Sequence, residues 1–288
     1  MIIDGHNHPD WHSHDLQASL DNMDQYGIDK AWLLTCEFTP SEYPPEGLPY
    51  GSPRYGIDKA IPFANCLSYM ERAGDRFVLG YAPDPRLPES IDQLEAAIEI
   101  HHVKVYGEFK YRVMCDDLDC LRMFRFCGEK KLPVVVHLDY EFDTGVKYPR
   151  RNWWYGGGIE PFERAIRACP ETNFLGHAPG FWSHISGDDL FDKDPYPAAF
   201  PVLPGGKIIS MLRQYPNLYC DISADSGRTA LSRDLAFTKD FLLEFQDRIV
   251  YARDFFDNAH QELLNSLGLP NDALAKIYSG NALKLAPL

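Results

Sequence analysis

The chain has 288 residues, a formal net charge of −14, 45% hydrophobic residues and 24% charged residues. This length suits one complete α/β barrel and can bury a core large enough to need neither disulfides nor a structural metal. The acidity, with no Lys/Arg cluster beyond Arg150 and Arg151, argues against a phosphate-tracking nucleic-acid binder and suits a protein kept soluble by its charge.

Seven cysteines without a CxxC exclude a zinc-thiolate module. Cys36, Cys127, Cys169 and Cys220 lie in apolar stretches, as reduced buried thiols do. The first residues enter a strand directly, without the charged and then apolar segments of a leader peptide. No apolar run is long enough to cross a bilayer. The expectation is a cytoplasmic protein with no membrane partner, for which a homo-oligomer remains open.

Taken in chain order, short runs rich in β-branched and aromatic residues predict strands at 2–8, 30–36, 76–82, 103–109, 133–138, 173–178, 217–223 and 248–254. Helical spacing of apolar residues falls between them, at 15–26, 61–73, 89–101, 117–131, 159–169, 204–214, 232–246 and 258–267. Eight of each in alternation predicts a (β/α)8 TIM barrel occupying residues 1–288 as one domain. The competitor is a doubly wound open sheet, but its Gly-rich first turn is missing: DGHNHPD is no GxGxxG. Long loops at 37–60, 139–157 and 179–203 each follow a strand, which places them at the barrel mouth. Residues 270–288 read as a closing helix.

The chemistry-bearing residues sit at strand ends, the end of a barrel where active sites are built. His6 and His8 in IIDGHNH are two apart and share a strand face. His137 ends three valines, with Asp139 on the same facing, and His177 in NFLGHAPG follows Leu175 with inward parity. Asp254 ends the apolar run RIVYARD, and a buried acid there must meet a cation or a donor. Remote in sequence, these five residues can converge on one divalent ion. A second pair, His12 and His14, lies past Pro9 in a polar stretch and reads as surface or rim.

In VKVYGEFKYR, Glu108, Lys110 and Arg112 share one facing, opposite to Val103, Val105 and Phe109. Inward charges of this kind are costly unless they serve a site. In the loop after strand five, Arg150 and Arg151 could clamp a substrate carboxylate or phosphate, with Trp153, Trp154 and Tyr155 excluding water or stacking on a ring. A loop packed on its own aromatics is the equal alternative. Asp188, Asp189, Asp192 and Asp194 fit no calcium-loop spacing and read as a solvated loop.

IIDGHNH, LPVVVH, NFLGHAPG, RIVYARDFF and SGNALKLA together resemble the amidohydrolase superfamily, most closely the branch containing aminocarboxymuconate-semialdehyde decarboxylase, along the whole chain. The resemblance implies that His6, His8, His137 and Asp254 are metal ligands, and that His177 is a second-metal ligand or the histidine that handles a proton. One departure is visible: the family's Gly-Ser-Asp is Ala252, Arg253 and Asp254 here. GEFKYR is also similar to a segment of TatD-type metal-dependent nucleases whose glutamate bridges two ions, whereas Lys110 matches a lysine of the decarboxylase-containing branch. Glu108 is thus either a bridging ligand or a salt-bridged partner of Lys110 that contacts substrate.

The expected reaction is hydrolysis of a lactone, ester or amide by a metal-activated water. Asp254 would carry the proton, and His177 or Lys110 would help polarise the carbonyl. The N/O donor set suits zinc, with manganese or iron as alternatives, as one or two ions. A decarboxylase on the same scaffold is the runner-up, and a barrel that binds without turnover ranks third.

Overall fold

The computed structural model describes residues 1–37, 61–139 and 154–288. Its strands are β1 (Ile3–Asn7), β2 (Lys30–Leu33), β3 (Phe77–Leu79), β4 (Tyr106–Phe109), β5 (Val134–His137), β6 (Phe174–His177), β7 (Leu218–Asp221) and β8 (Ile249–Val250). They form parallel ladders in the orders β1-β2-β3 and β4-β5-β6-β7-β8. Two seams join the ladders. At one, Lys104 N donates to Leu79 O at 2.9 Å and Tyr81 N to Val105 O at 3.0 Å; at the other, Gly5 N donates to Tyr251 O at 2.9 Å. The strands therefore close into the (β/α)8 barrel expected from the alternating pattern.

Each main predicted helix is present: α1 (Leu16–Gln25), α2 (Phe63–Ala73), α3 (Ser90–His101), α4 (Leu118–Lys130), α5 (Ile159–Ala168), then, after the short α6 (Pro179–Trp182), α7 (Lys207–Gln214). Next come α8 (Ala224–Ser232), α9 (Leu235–Glu244), α10 (Ala259–Ser266), α11 (Asn271–Ala275) and α12 (Asn281–Leu285). The sequence pattern did not separate α6 and α8. Both follow a strand directly at the mouth, where small and polar residues interrupt the apolar period. Side-chain oxygens cap several starts: Asp15 accepts from Ala18 N at α1, and Asp234 from Phe237 N at α9. The closing helix exists as α11 and α12 joined through one π-type turn at Lys276–Gly280.

The core has two layers. Ile3, Trp32, Val78, Val105, Val135, Leu175, Tyr219 and Val250 fill the barrel, one from each strand except Val105, which immediately precedes β4, with Leu285 and Ala286 plugging its N-terminal end. A larger shell between strands and helices includes Met23, Tyr69, Leu94, Phe124, Phe162 and Leu242. Gly5 permits the β8–β1 seam, because a Cβ there would lie 2.6 Å from Val250 Cγ1.

Two strands depart from strict alternation, and both departures serve the mouth. In β1, Ile3 faces the barrel interior while Asp4 turns outward to Arg253, yet His6 faces inward again, across a register irregularity between Asp4 and Asn7. In β4 the register shifts between Tyr106 and Phe109. Val105 consequently lies inside the barrel on the same side as Glu108, whereas Val103 and Phe109 belong to the outer shell. This corrects the expected opposition of Val105 to Glu108: simple period-two reading fails where the ladder slips.

Among the described residues no helix is long and apolar enough to cross a membrane. All seven cysteines are buried free thiols.

Candidate metal centre and active site

The C-terminal ends of β1, β4, β5, β6 and β8 bring His6, His8, Glu108, His137, His177 and Asp254 together at the barrel mouth. Three overlapping sets have ligand atoms within 4.8 Å of one another: His6, His177 and Asp254; His6, His8 and Glu108; and Glu108, His137 and His177. Glu108 lies at the centre. Its Oε1 is 2.6 Å from His137 Nδ1, 3.8 Å from His177 Nε2 and 3.9 Å from His6 Nε2, and its Oε2 is 3.6 Å from His8 Nε2. Asp254 completes the ring, 3.5 Å from His8 Nε2 and 3.8 Å from His177 Nε2.

Every imidazole is held from behind. His6 Nδ1 contacts Asp221 Oδ2 at 2.6 Å, His8 Nδ1 the Leu34 carbonyl at 2.9 Å, and His177 Nδ1 the Ser223 hydroxyl at 2.9 Å. His137 is held through its other nitrogen, Nε2 lying 3.0 Å from Asp139 Oδ2. In each case one ring nitrogen is fixed by an oxygen and the other faces the cluster, as outer partners orient metal-binding histidines. The carboxylate Oδ1 of Asp254 is buried and accepts no hydrogen bond among the described residues. An acceptor-only atom in that position is costly unless a cation or donor reaches it. The donor set, four imidazoles and two carboxylates without thiolate, fits a divalent ion.

Electrostatics carry the same message. Burial opposes charge on His6, yet Asp221, Asp254 and Glu108 overcome it and push its pKa up to about 10. Burial and the neighbouring His6 charge push His8 down to about 3. Burial likewise lowers His177. Burial drives Asp254 up to about 7. Glu108 is held well below the usual carboxylate range, because Lys110, His137 and His6 outweigh its burial. Excess buried negative charge is thus offset by protons held on imidazoles, the role a divalent cation fills when it binds.

Backbone geometry is unusual at the same rim. Ala178 (φ 76°), Ala224 (φ 58°) and Asp254 (φ 50°) hold left-handed conformations just past β6, β7 and β8. Each costs roughly 1 kcal/mol for a non-glycine residue, and such strain clusters where side chains must be aimed.

A cavity of about 480 Å³ opens over the cluster. Lys110 lines it, buried, with Nζ 5.5 Å from the Tyr155 ring centroid. Arg112 instead carries its guanidinium 5.9 Å over the Trp154 ring and is not among the described lining residues. Arg150, Arg151 and Trp153 lie outside the described residues. His12 stands exposed at the rim between Trp11 and Phe255, and His14 stacks on Phe256 at 3.7 Å, so neither joins the cluster.

Sequence reasoning missed Asp221 and Ser223, which orient two of the histidines, and Trp11, whose Nε1 donates to the Asp254 carbonyl at 3.0 Å. Asp221 carried a usable signal: it ends an apolar strand with the inward parity of Tyr219. Arg253, the departure noted in the sequence, is explained by a buried pair. Its Nε donates to Asp4 Oδ2 at 2.8 Å and its backbone N to Asp4 Oδ1 at 2.8 Å, tying β8 to β1 beneath the site.

Solved structures share this fold at low identity. An uncharacterised TIM-barrel protein from Bordetella bronchiseptica aligns at 15% identity and TM-score 0.63, covering 99% of this chain and 97% of that one. A dihydroxybenzoic acid decarboxylase from Polaromonas sp. JS666, solved with bound manganese and the inhibitor 2-nitroresorcinol, aligns at 15% identity and TM-score 0.59, covering 99% and 96%. A candidate 2-pyrone-4,6-dicarboxylic acid hydrolase from Pseudomonas putida aligns at 12% identity and TM-score 0.59, also covering 99% and 96%. No curated protein matches the sequence significantly. The amidohydrolase family profile matches residues 3–288, effectively the whole barrel with its mouth cluster. The chain belongs to the amidohydrolase family and is a metal-dependent enzyme of that type.

Proposed function

We propose that this enzyme is a hydrolase that cleaves a C–O or C–N bond in a small lactone, ester or amide. The observation that carries this reading is the pairing of Glu108, shared among four imidazoles, with Asp254, whose buried Oδ1 accepts no hydrogen bond among the described residues. His6, His8 and Asp254 would hold one divalent ion, His137 and His177 a second, with Glu108 between them. Zinc suits the imidazole-rich set, with manganese or iron as competitors. When bound, such ions supply Lewis acidity that brings the pKa of water to about 7 and polarises a substrate carbonyl.

The protein's own groups do the rest. Asp254, 3.5 Å from His8 Nε2 and 3.8 Å from His177 Nε2, takes the proton from the attacking water and returns it to the leaving oxygen or nitrogen. Asp221, Ser223, Asp139 and the Leu34 carbonyl keep the four rings in place throughout. Lys110, at the cavity wall beside Glu108, places a positive charge where an oxyanion develops. Arg112, packed on Trp154, is assigned no contact with substrate.

A decarboxylase is the second reading, favoured by the buried cation Lys110 at the cavity and by the likeness to the Polaromonas enzyme. The two reactions separate by product. Metal-loaded protein should hydrolyse members of a lactone, ester and amide panel, with acid release on a pH-stat, and lose that activity on chelation. Release of carbon dioxide from hydroxybenzoates, with no hydrolysis across the panel, would replace the first reading by the second.

A further inference from the structure

The side of the cavity built by α8 and α10 contains polar groups that the proposed chemistry does not use. His260, at the start of α10, is buried and lines the cavity, yet neither of its ring nitrogens has a hydrogen-bond partner among the described residues. Ser226, in α8, is also buried and lines the same cavity, and its Oγ likewise has none. The two helices pack against each other, which puts both groups on one wall, on the β7–β8 side of the metal cluster. A buried imidazole with both nitrogens unsatisfied costs about 1–3 kcal/mol per missing partner. That cost is retained most simply where a ligand supplies the partners.

The chemistry of the wall selects the ligand. Burial lowers the pKa of His260, so the ring is neutral and offers one N–H and one lone pair. Ser226 offers one O–H and two lone pairs. Asp225 and Asp257 also line the cavity here, with Arg228 turned to Asp225 at 2.6 Å. An anion could only accept hydrogen bonds: it would leave the imidazole lone pair unpaired and would face two carboxylates. A hydroxyl both donates and accepts, so one hydroxyl can pair with one ring nitrogen of His260 and with Ser226 together, and a second hydroxyl can take the other nitrogen. We infer that the α8–α10 wall is a recognition subsite for a hydroxyl-bearing part of the substrate, held by His260 and Ser226 away from the bond that is cleaved. The inference rests on the reading of this cavity as the substrate site and narrows it to hydroxylated substrates.

The test is equilibrium binding to the metal-loaded enzyme by calorimetry, with three probes: D-ribonolactone, unsubstituted butyrolactone and a butyrolactone carrying a ring carboxylate. The expected result is that the hydroxylated lactone binds at least about tenfold tighter than the plain one, with the carboxylate no tighter than the plain one. In His260→Phe and in Ser226→Ala that advantage should shrink to about threefold or less, and His260→Gln, which keeps a donor and an acceptor, should restore part of it. Metal content and thermal melts of each variant verify that the barrel is intact, and Ser226→Ala removes one oxygen without adding bulk. Equal binding of plain and hydroxylated lactones, a preference for the carboxylate, or an advantage that survives in both variants would overturn the subsite. Binding needs no turnover, so a failed hydrolysis assay with this binding pattern intact would count against the reaction and not against the wall.

Discussion

Asp254 shows how much the neighbourhood of one residue decides. Burial raises the pKa of its carboxyl, His6 and Lys110 pull it back only partly, and the balance lies at about 7. As the proposed proton carrier it should be hard to replace. Asp254→Asn is expected to lower kcat by about 10²–10⁴-fold while the fold persists, as judged by circular dichroism. Glu108 makes a different prediction. If it is shared between two ions, Glu108→Gln should reduce the bound metal from two equivalents to one or fewer by elemental analysis, whereas a partner of Lys110 alone would leave the count unchanged. The histidines were legible in the sequence because each ends an apolar run, which makes a buried polar group conspicuous. Asp221 and Ser223 were not singled out because their purpose appears only when β7 lies beside β6 and near β1 in space.

At the scale of elements, the strands and helices were readable because alternation and the 3.6-residue period are local properties. Inward or outward facing was readable only while the ladder kept its register. In β1 and β4 it slips, and those are the strands that contribute His6, His8 and Glu108. The Asp4–Arg253 pair is the element-scale device that closes β8 onto β1, buried to 0% and 1% exposure. Removing one partner strands the other charge, so Asp4→Ala should cost about 3–5 kcal/mol in urea unfolding. The segment after β6 has its own signature. His184 packs its ring against Phe191, centroids 4.3 Å apart and tilted by 35°, and burial lowers its pKa from 6.5 to about 4. The unfolded chain therefore takes up a proton that the folded chain refuses between those values, and stability contributed here falls as pH drops from 6.5 to about 4. A His184→Gln variant should show a flatter pH dependence of unfolding free energy across that window; an unchanged slope would rule out this group as its source.

For the molecule as a whole, an interior layer plugged by Leu285 and Ala286 and an outer shell of helices hold the barrel without help from the mouth cluster. Chelation should therefore lower the melting temperature without unfolding the protein at room temperature, because a ligand that binds only the folded state adds stability by mass action. Loss of circular dichroism on chelation at 25 °C would show that the metal is structural and that this division of labour is wrong. The acidic balance that argued against nucleic acid in the sequence is consistent with a cavity whose walls combine carboxylates with one buried lysine. Substrate choice was the least legible property. It turns on which side chains of helices remote in sequence meet at the mouth, as His260 and Ser226 do, and the Arg150, Arg151 and Trp153 segment proposed for it lies outside the described residues.

The central claim is that side chains from β1, β4, β5, β6 and β8 form a single metal centre. Anomalous diffraction from crystals grown with zinc tests it most directly. The account predicts two peaks flanking the Glu108 carboxylate, one within about 2.0–2.3 Å of His6 and His8 nitrogens and the other at that distance from His137 and His177. Absence of any peak within bonding distance of His6, His8 or Asp254 would contradict it.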